Sequence, residues 1–372
     1  MPPSTEISKE SSIPSKEDNN PDYRNPLYVG EWKKSIPYVD EDIAVDDLDE
    51  PHMKRKITIL RDYPEIEKLY GIDMTTIPIT IIAATAQIIA SYVFGKILID
   101  WNWTMVIYSY FLGGSLTQLY GVIIHEAAHC LAAPTRFQNR IIGLIANTAL
   151  PFPIAMSFRR YHLEHHTFQG VVGLDPDLPL EWEKKLVQGN SLFKFLWLNV
   201  YPVMYVLRGL VMQKTPQFWE YVNWIYTIIG NFLIYYFCGG RGLFYLFLSL
   251  WFGYGAHPAA AHFIQEHYTF DDGQETYSYY GILNYFFMNI GYHNEHHDFT
   301  KIPWSRLPKV RKIASEYYDN LAYHTSWCMV LWNFVTKIQY GPQSRVGRSV
   351  NDHKKGRKML RDVKKWVYSL KK

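Results

Sequence analysis

The sequence predicts an all-α integral membrane protein: four transmembrane helices in two hairpins, with a cytosolic helical cap that holds a histidine-rich dinuclear metal site. Three observations carry this. Residues 77–99, 104–124, 219–238 and 242–263 are long apolar runs, each near the length that crosses a hydrocarbon core of about 30 Å. Apolar residues make up 48% of the chain and charged ones only 20%, with 29 Tyr and 12 Trp, the side chains that settle where hydrocarbon meets water. Eight of the fourteen histidines fall in three short clusters that flank those runs.

Residues 1–50 lack apolar periodicity and end in the acidic run VDEDIAVDDLDE at 39–50; they are read as a disordered tail. No apolar leader is present there, so insertion is expected to use an internal segment. The membrane domain spans 51–345. DYPEIEKLYG at 62–71 reads as a short helix with Pro64 in its first turn and Gly71 ending it. The runs 77–99 and 104–124 form the first hairpin around the interfacial turn DWNW at 100–103. Residues 125–218 and 264–345 mix charge with apolar patches such as LIANTALPFPIAM, and are assigned to the cap. Within them 192–212 is long enough to span, yet Lys194, Asn199, Pro202 and Arg208 interrupt it, so it is read as a helix lying in the interface. CGGR at 238–241 joins the second hairpin, 219–238 and 242–263. The tail 346–372 is basic: residues 337–372 hold twelve Lys and Arg against two Asp, which suits an anionic cytosolic leaflet. Cys130, Cys238 and Cys328 are too few and too scattered for a disulfide framework or a cysteine zinc site.

The clusters are His125 and His129 in HEAAH, His162, His165 and His166 in HLEHH, and His293, His296 and His297 in HNEHH. On a helix, positions i, i+3 and i+4 share a face, so each cluster aims its imidazoles at one point. A catalytic zinc uses three protein ligands. Eight converging histidines suit two ions. Imidazole accepts several transition metals and does not name one. Topology agrees, because two crossings between HLEHH and HNEHH return the chain to the side where HEAAH lies. HEAAH alone also fits a zinc protease, with Glu126 as base and Asp175 or Asp177 as third ligand, but that account leaves two clusters unused.

The pattern HxxxH, HxxHH, HxxHH between paired membrane helices resembles the membrane-bound lipid desaturase and hydroxylase superfamily. DYPEIEKLYG, HPAAAHFIQEHY, QETYSYYG and GYHNEHHDF resemble sphingolipid Δ4-desaturases, the dihydroceramide desaturases, over roughly residues 50–345. The resemblance implies two iron ions held by the eight clustered histidines, O2 as co-substrate, and dihydroceramide converted to ceramide through a trans 4,5 double bond. It also implies a ninth histidine near the end of the fourth membrane helix. AAAH makes His262 the first candidate and His267 the second, with His257 beside Pro258 assigned to structure. Glu126, Glu164 and Glu295, inside the clusters, are candidates to orient the imidazoles. Tyr161, Tyr292 and Trp304 are candidates to line a substrate tunnel.

No bound haem, flavin or nicotinamide is expected: the chain has neither a G-x-G-x-x-G fingerprint nor the His-Pro-Gly-Gly word of a fused cytochrome b5 domain. The resemblance implies electrons from a separate cytochrome b5 and NADH-cytochrome b5 reductase, for which Arg159, Arg160, Lys309, Arg311 and Lys312 are a candidate docking surface. The expected partners are lipid and these donors, with no nucleic acid. The expected location is the endoplasmic reticulum membrane, multi-pass, with both termini and the metal site cytosolic. C4-hydroxylation, which uses the same ligands, is the alternative reaction, and a non-catalytic lipid or metal carrier is the alternative class.

Overall fold

The computed structural model describes residues 43–44, 51–351, 353, 354, 356, 357 and 364. The rest of the two predicted tails lies outside the described residues. Strand β1 (Ile43–Ala44) pairs in parallel with Val346 and Gly347. Helix α1 (Pro51–Asp62) opens the continuous part. DYPEIEKLYG then folds as a 3-10 helix, Pro64–Leu69, with Pro64 at its start, and Gly71 leaves it at φ 138°, a conformation suited to glycine.

Helix α2 (Thr76–Tyr92) runs on through a π-turn at Val93–Ile97. The 22 residues Thr76–Ile97 extend for about 33 Å at helical rise. The chain returns through α3 (Asn102–Tyr108), a second π-turn at Ser109–Gly113, and α4 (Gly114–Ala128), which ends in HEAAH. Helix α5 (Arg136–Asn147) starts at a capping box between Thr135 and Gln138. At its far end the Asn147 side chain accepts from the backbone of Ile154 and Ala155, both at 2.9 Å, and so sets the start of α6 (Ala155–Phe168), which carries HLEHH.

After α7 (Glu181–Val187), the segment expected as one interfacial helix is instead two, α8 (Ser191–Asn199) and α9 (Tyr201–Val211). Pro202 explains the break, since it offers no N–H and restricts the residue before it. The eleven residues of α9 cover about 17 Å, short of a hydrocarbon core. The two charges that interrupt the segment are buried in the fold. Buried Lys194 donates to the carbonyls of Phe334, Lys337 and Tyr340 at 2.9, 2.6 and 2.8 Å. Buried Arg208 forms a two-pronged pair with Glu183 at 2.8 and 2.7 Å.

Helix α10 (Phe218–Tyr254) is helical on both sides of Gly239, which sits at φ 77°, ψ 170°. The chain reverses there. Asn231 and Phe247, on opposite sides of Gly239, both reach the same loop: Asn231 donates to Pro151 O at 2.9 Å, and the Phe247 ring lies 5.5 Å from Phe152. The second arm stops at Tyr254 rather than at 263. Gly255 is non-helical and His257, before Pro258, is extended, as a pre-proline residue prefers. A 3-10 turn (Pro258–Ala261) then leads into α11 (His262–Gln265). Among the described residues, Thr76–Ile97 and the composite Phe218–Gln265 are long and apolar enough to cross a membrane.

The remainder returns over the same face: β2 (Ser278–Tyr279), α12 (His293–Asp298) with HNEHH, α13 (Leu307–Ile313), β3 (Tyr323–His324) parallel to β2, α14 (Trp327–Thr336) and β4 (Val346–Gly347), the partner of β1. The principal core, including Ile123, Ile124, Ala146, Tyr268 and Trp327, lies beneath the histidine clusters. A second core joins Ile59 of α1 to Phe299, Val310 and Tyr318 around α12 and α13.

The apolar helices meet at glycine. A Cβ on Gly95 would lie 1.9 Å from the Cys238 carbonyl oxygen, a contact that backbone movement alone relieves. Gly95→Ala is expected to destabilise the protein by about 1–3 kcal/mol, the usual cost of overpacking, seen as a lower melting midpoint in detergent-solubilised protein. An unchanged midpoint would mean that the two helices are not held this closely.

Candidate metal centre

The three clusters and one further histidine converge in two groups. In the first, His129 Nε2 and His162 Nε2 are 2.9 Å apart, His162 Nε2 and His166 Nε2 are 2.9 Å apart, and His166 Nε2 and His296 Nε2 are 3.2 Å apart. The donor atoms of these four and His125 all lie within 4.8 Å of one another. In the second, His267 Nε2 lies 2.9 Å from both His165 Nε2 and His293 Nε2, and His297 approaches His165 and His267 within 4.8 Å.

Hydrogen bonding does not account for this arrangement. A protonated ring nitrogen cannot accept, so along His129, His162, His166 and His296 one proton would have to serve two contacts at once. Both nitrogens of His125 and Nε2 of His297 are buried without a hydrogen-bond partner, which is costly unless something else meets them. Ligands about 2.1 Å from one ion and at right angles stand about 3.0 Å apart, so the spacings fit metal ligation. Protonation fits too. Burial, reinforced by neighbouring imidazoles, holds His129, His162, His166, His267, His296 and His297 well below the ordinary imidazole value, and burial takes His293 to about 3. Neutral rings keep a lone pair for a metal.

Carboxylates sit behind the rings. Asp175 accepts from His165 Nδ1 at 3.0 Å and from the backbone of Gly170 and Asp177 at 2.7 and 2.9 Å. Burial lowers an imidazole, yet these carboxylates outweigh it, and the His165 pKa is raised. Glu266 Oε1 accepts from His262 Nδ1 at 2.7 Å and lies 3.7 Å from His293 Nδ1. Burial would raise this carboxyl, but the two imidazoles prevail and bring it down to about 2. Asp298, beside His297, is held below the usual carboxylate value against burial, chiefly by Arg55.

A cavity of about 560 Å³ opens onto these groups, within the range of small-molecule sites. Phe152, Phe158, Phe247 and Trp251 form apolar wall, while His125, His162, His165, His267 and His293 lie at its polar end with Asp177, Glu266 and Arg345.

Imidazoles gathered in two groups beside an apolar cavity are an arrangement able to hold metal ions next to an apolar ligand. The chain belongs to the fatty acid desaturase family, whose description matches residues 101–327, and a second description, sphingolipid Delta4-desaturase, matches residues 46–75. It is 41% identical over 303 residues to a sphingolipid delta(4)-desaturase of Drosophila melanogaster, covering 81% of this chain and 93% of that one. Identity to the sphingolipid delta(4)-desaturase of Homo sapiens is 40% over 315 residues, covering 84% and 95%. A related protein of Oryza sativa subsp. japonica is 42% identical over 302 residues, covering 81% and 90%. The chain is thus an oxidoreductase of the desaturase type.

The structure brings together all eight clustered histidines and His267. It leaves His262 outside: that ring is engaged at both nitrogens, with Glu266 at 2.7 Å and with Gln118 Oε1 at 3.0 Å. His257 caps the 3-10 turn by accepting from Ala259 N. Of the three glutamates, Glu126 lies 3.6 Å from His125 Nδ1, whereas Glu164 pairs with Lys214 and Glu295 accepts from Ser278 and Tyr280 at 2.8 and 2.6 Å. Asp175 belongs with His165, away from His125 and His129, which removes the third ligand from the zinc-protease reading. Tyr161, Tyr292 and Trp304 are not among the cavity-lining residues. Arg160 is engaged with Thr215 O at 2.8 Å and Arg311 with Asp319 at 2.7 Å, while Lys309 and Lys312 are exposed. Asp175 and Glu266 went unassigned as ring-orienting groups; DPD at 175–177 and the i, i+4 pair His262 and Glu266 were the available signals.

His267→Ala is expected to lose at least tenfold in metal affinity, since a ring facing two others would be missing, whereas His262→Gln should keep metal content near that of the wild type. Metal analysis of the purified variants checks this, and equal losses in both would contradict the grouping.

Proposed function

We propose that the chain introduces a trans 4,5 double bond into the sphinganine base of dihydroceramide, giving ceramide. The observation that carries the reading is that both imidazole groups line an otherwise apolar cavity, in a chain whose relatives bear the name sphingolipid delta(4)-desaturase. The balanced reaction takes dihydroceramide, O2, two electrons and two protons to ceramide and two waters. Two iron ions would be held by His125, His129, His162, His166 and His296 on one side and by His165, His267, His293 and His297 on the other. Iron, when bound, supplies the redox chemistry that activates O2 toward an unactivated C–H bond, which no side chain provides.

The protein's own residues do the rest. Phe152, Phe158, Phe247 and Trp251 take up hydrocarbon and exclude water from the cavity. Asp177, Glu266 and Arg345, at its polar end, suit the hydroxyl and amide groups that a sphingoid base carries next to carbons 4 and 5. Register matters because displacement by about 1 Å can cost on the order of a hundredfold in rate. Asp175 holds His165 in place, and Glu266 faces His293 Nδ1 at 3.7 Å.

Four crossings and a cytosolic cap are part of the same reading. Its support is a belt of exposed apolar side chains on every arm: Ile82 and Ile89, Trp103 and Phe111, Ile228 and Phe232, Phe244 and Trp251; exposed apolar surface of this extent marks a lipid or protein contact. The endoplasmic reticulum membrane fits the lipid substrate and the basic cytosolic residues. Separate cytochrome b5 and NADH-cytochrome b5 reductase would deliver electrons, with exposed Lys309 and Lys312 offering charge to an acidic donor.

Mass spectrometry of sphingoid bases from a host lacking this activity provides the test. Wild-type chain should yield a base two hydrogens lighter and His165→Ala should yield none. A base heavier by one oxygen as sole product would make the enzyme a C4-hydroxylase. Single-cysteine accessibility at residues 180 and 300 should place both on the cytosolic face. Opposite faces would rule out the four-crossing arrangement.

A further inference from the structure

Helix α1 precedes the apolar helices and holds none of the clustered histidines, yet it is tied to the metal centre by buried polar groups. We propose that His52 of α1 is a positioning residue that acts through Thr276 to fix the tautomer of His267, so that the Nε2 lone pair of His267 faces the second histidine group. The inference rests on the metal-site reading.

The geometry is a chain of buried contacts. His52 Nδ1 lies 2.8 Å from Asp298 Oδ1, and its Nε2 lies 3.0 Å from Thr276 Oγ1. Thr276 Oγ1 is in turn 3.4 Å from His267 Nδ1. Asp298 is anchored independently: Arg55 donates to it through Nε at 2.6 Å and Nη2 at 3.0 Å, and Tyr318 OH donates at 2.9 Å. Arg55 also donates to Asn294 Oδ1 at 3.0 Å, inside HNEHH. The His52 ring lies 4.8 Å from that of His297, which leaves it little room to turn.

Proton directions follow from the anchor. A carboxylate only accepts, so His52 donates from Nδ1 to Asp298, and in the proposed arrangement its Nε2 accepts. The Thr276 hydroxyl fills that acceptor. Its oxygen then receives the Gln169 side chain at 3.2 Å and the Nδ1–H of His267. With the proton on Nδ1, His267 Nε2 is bare where it meets His165 Nε2 and His293 Nε2, each at 2.9 Å. Outer partners of this kind are what fix ring orientation at imidazole metal sites. The segment that carries His52 and Arg55 is the one matched by the sphingolipid Delta4-desaturase description, 46–75, and lies outside the broader fatty acid desaturase match at 101–327.

The test uses full-length protein in detergent and reads iron content, Mössbauer spectra and the melting midpoint. Thr276→Val keeps shape and removes the hydroxyl; His52→Phe keeps the ring and removes both nitrogens. Each is expected to weaken iron binding by about 10–100-fold at one of two sites, with an altered spectrum for that site and a melting midpoint of the iron-free protein near wild type. Thr276→Ser and His52→Gln, which restore a hydroxyl and a donor–acceptor pair, should recover iron and spectrum. Wild-type iron content and spectra in the Val and Phe variants would overturn the proposal. So would parallel loss of iron and melting stability in all four, which would reduce α1 to packing. Wild-type protein that holds no iron would overturn the metal reading itself.

Discussion

Nine imidazoles brought together, seven buried and two half-buried, are the constraint on which the rest of the structure depends. Unmet polar groups in a low-dielectric interior are costly, and here seven of the rings face one another at 2.9 to 3.2 Å. Neutral rings packed this way gain little from each other. They are held because α4, α6 and α12 are each anchored elsewhere: α4 by the apolar helices, α6 through Asn147, and α12 through Asp298. Backing carboxylates then set where the ring protons lie. The arrangement makes sense as a socket whose last component is cationic.

The two groups are unequal, five rings against four, and their surroundings differ accordingly. Asp175 backs His165 and Glu266 lies 3.7 Å from His293 in the four-ring group, while Glu126 lies 3.6 Å from His125 in the five-ring group. The cavity reaches both. Its wall comes from α6, α9, the second arm of α10 and the loop at Phe152, and the break at Gly255 lets His262 and Glu266 line it as well. The turn that ends the helix brings polar groups back over the imidazoles.

Much of this was legible in the sequence. Cluster spacing alone located eight of the nine rings, because i, i+3 and i+4 on a helix form one face whatever surrounds it. Apolar runs and CGGR located the arms, since length and glycine are local signals. The ninth ring was ambiguous for a physical reason: His262 and His267 lie one short helix apart, and which one turns inward depends on Gln118 and Glu266 capturing the former. The cavity wall was misjudged in the same way. Tyr161 and Trp304 are close to clusters in sequence, but Tyr161 donates to Gly209 O at 3.3 Å and Trp304 Nε1 to Thr76 Oγ1 at 3.2 Å, contacts that no local pattern announces. The segment 192–212 was read as one interfacial helix and is two, and its charges Lys194 and Arg208 are internal anchors.

The bond between His52 and Asp298 spans 246 positions of the chain. Chains are made from the N-terminus and domains begin to fold during synthesis. Arg55 and His52 therefore leave the ribosome long before the carboxylate they hold, and HEAAH and HLEHH wait alongside for HNEHH. Both hairpins are in place before the socket has all its walls. A nascent chain interrupted ahead of residue 293 holds six of the nine rings, two-thirds of the socket, and has yet to make the carboxylate that Arg55 and His52 bind.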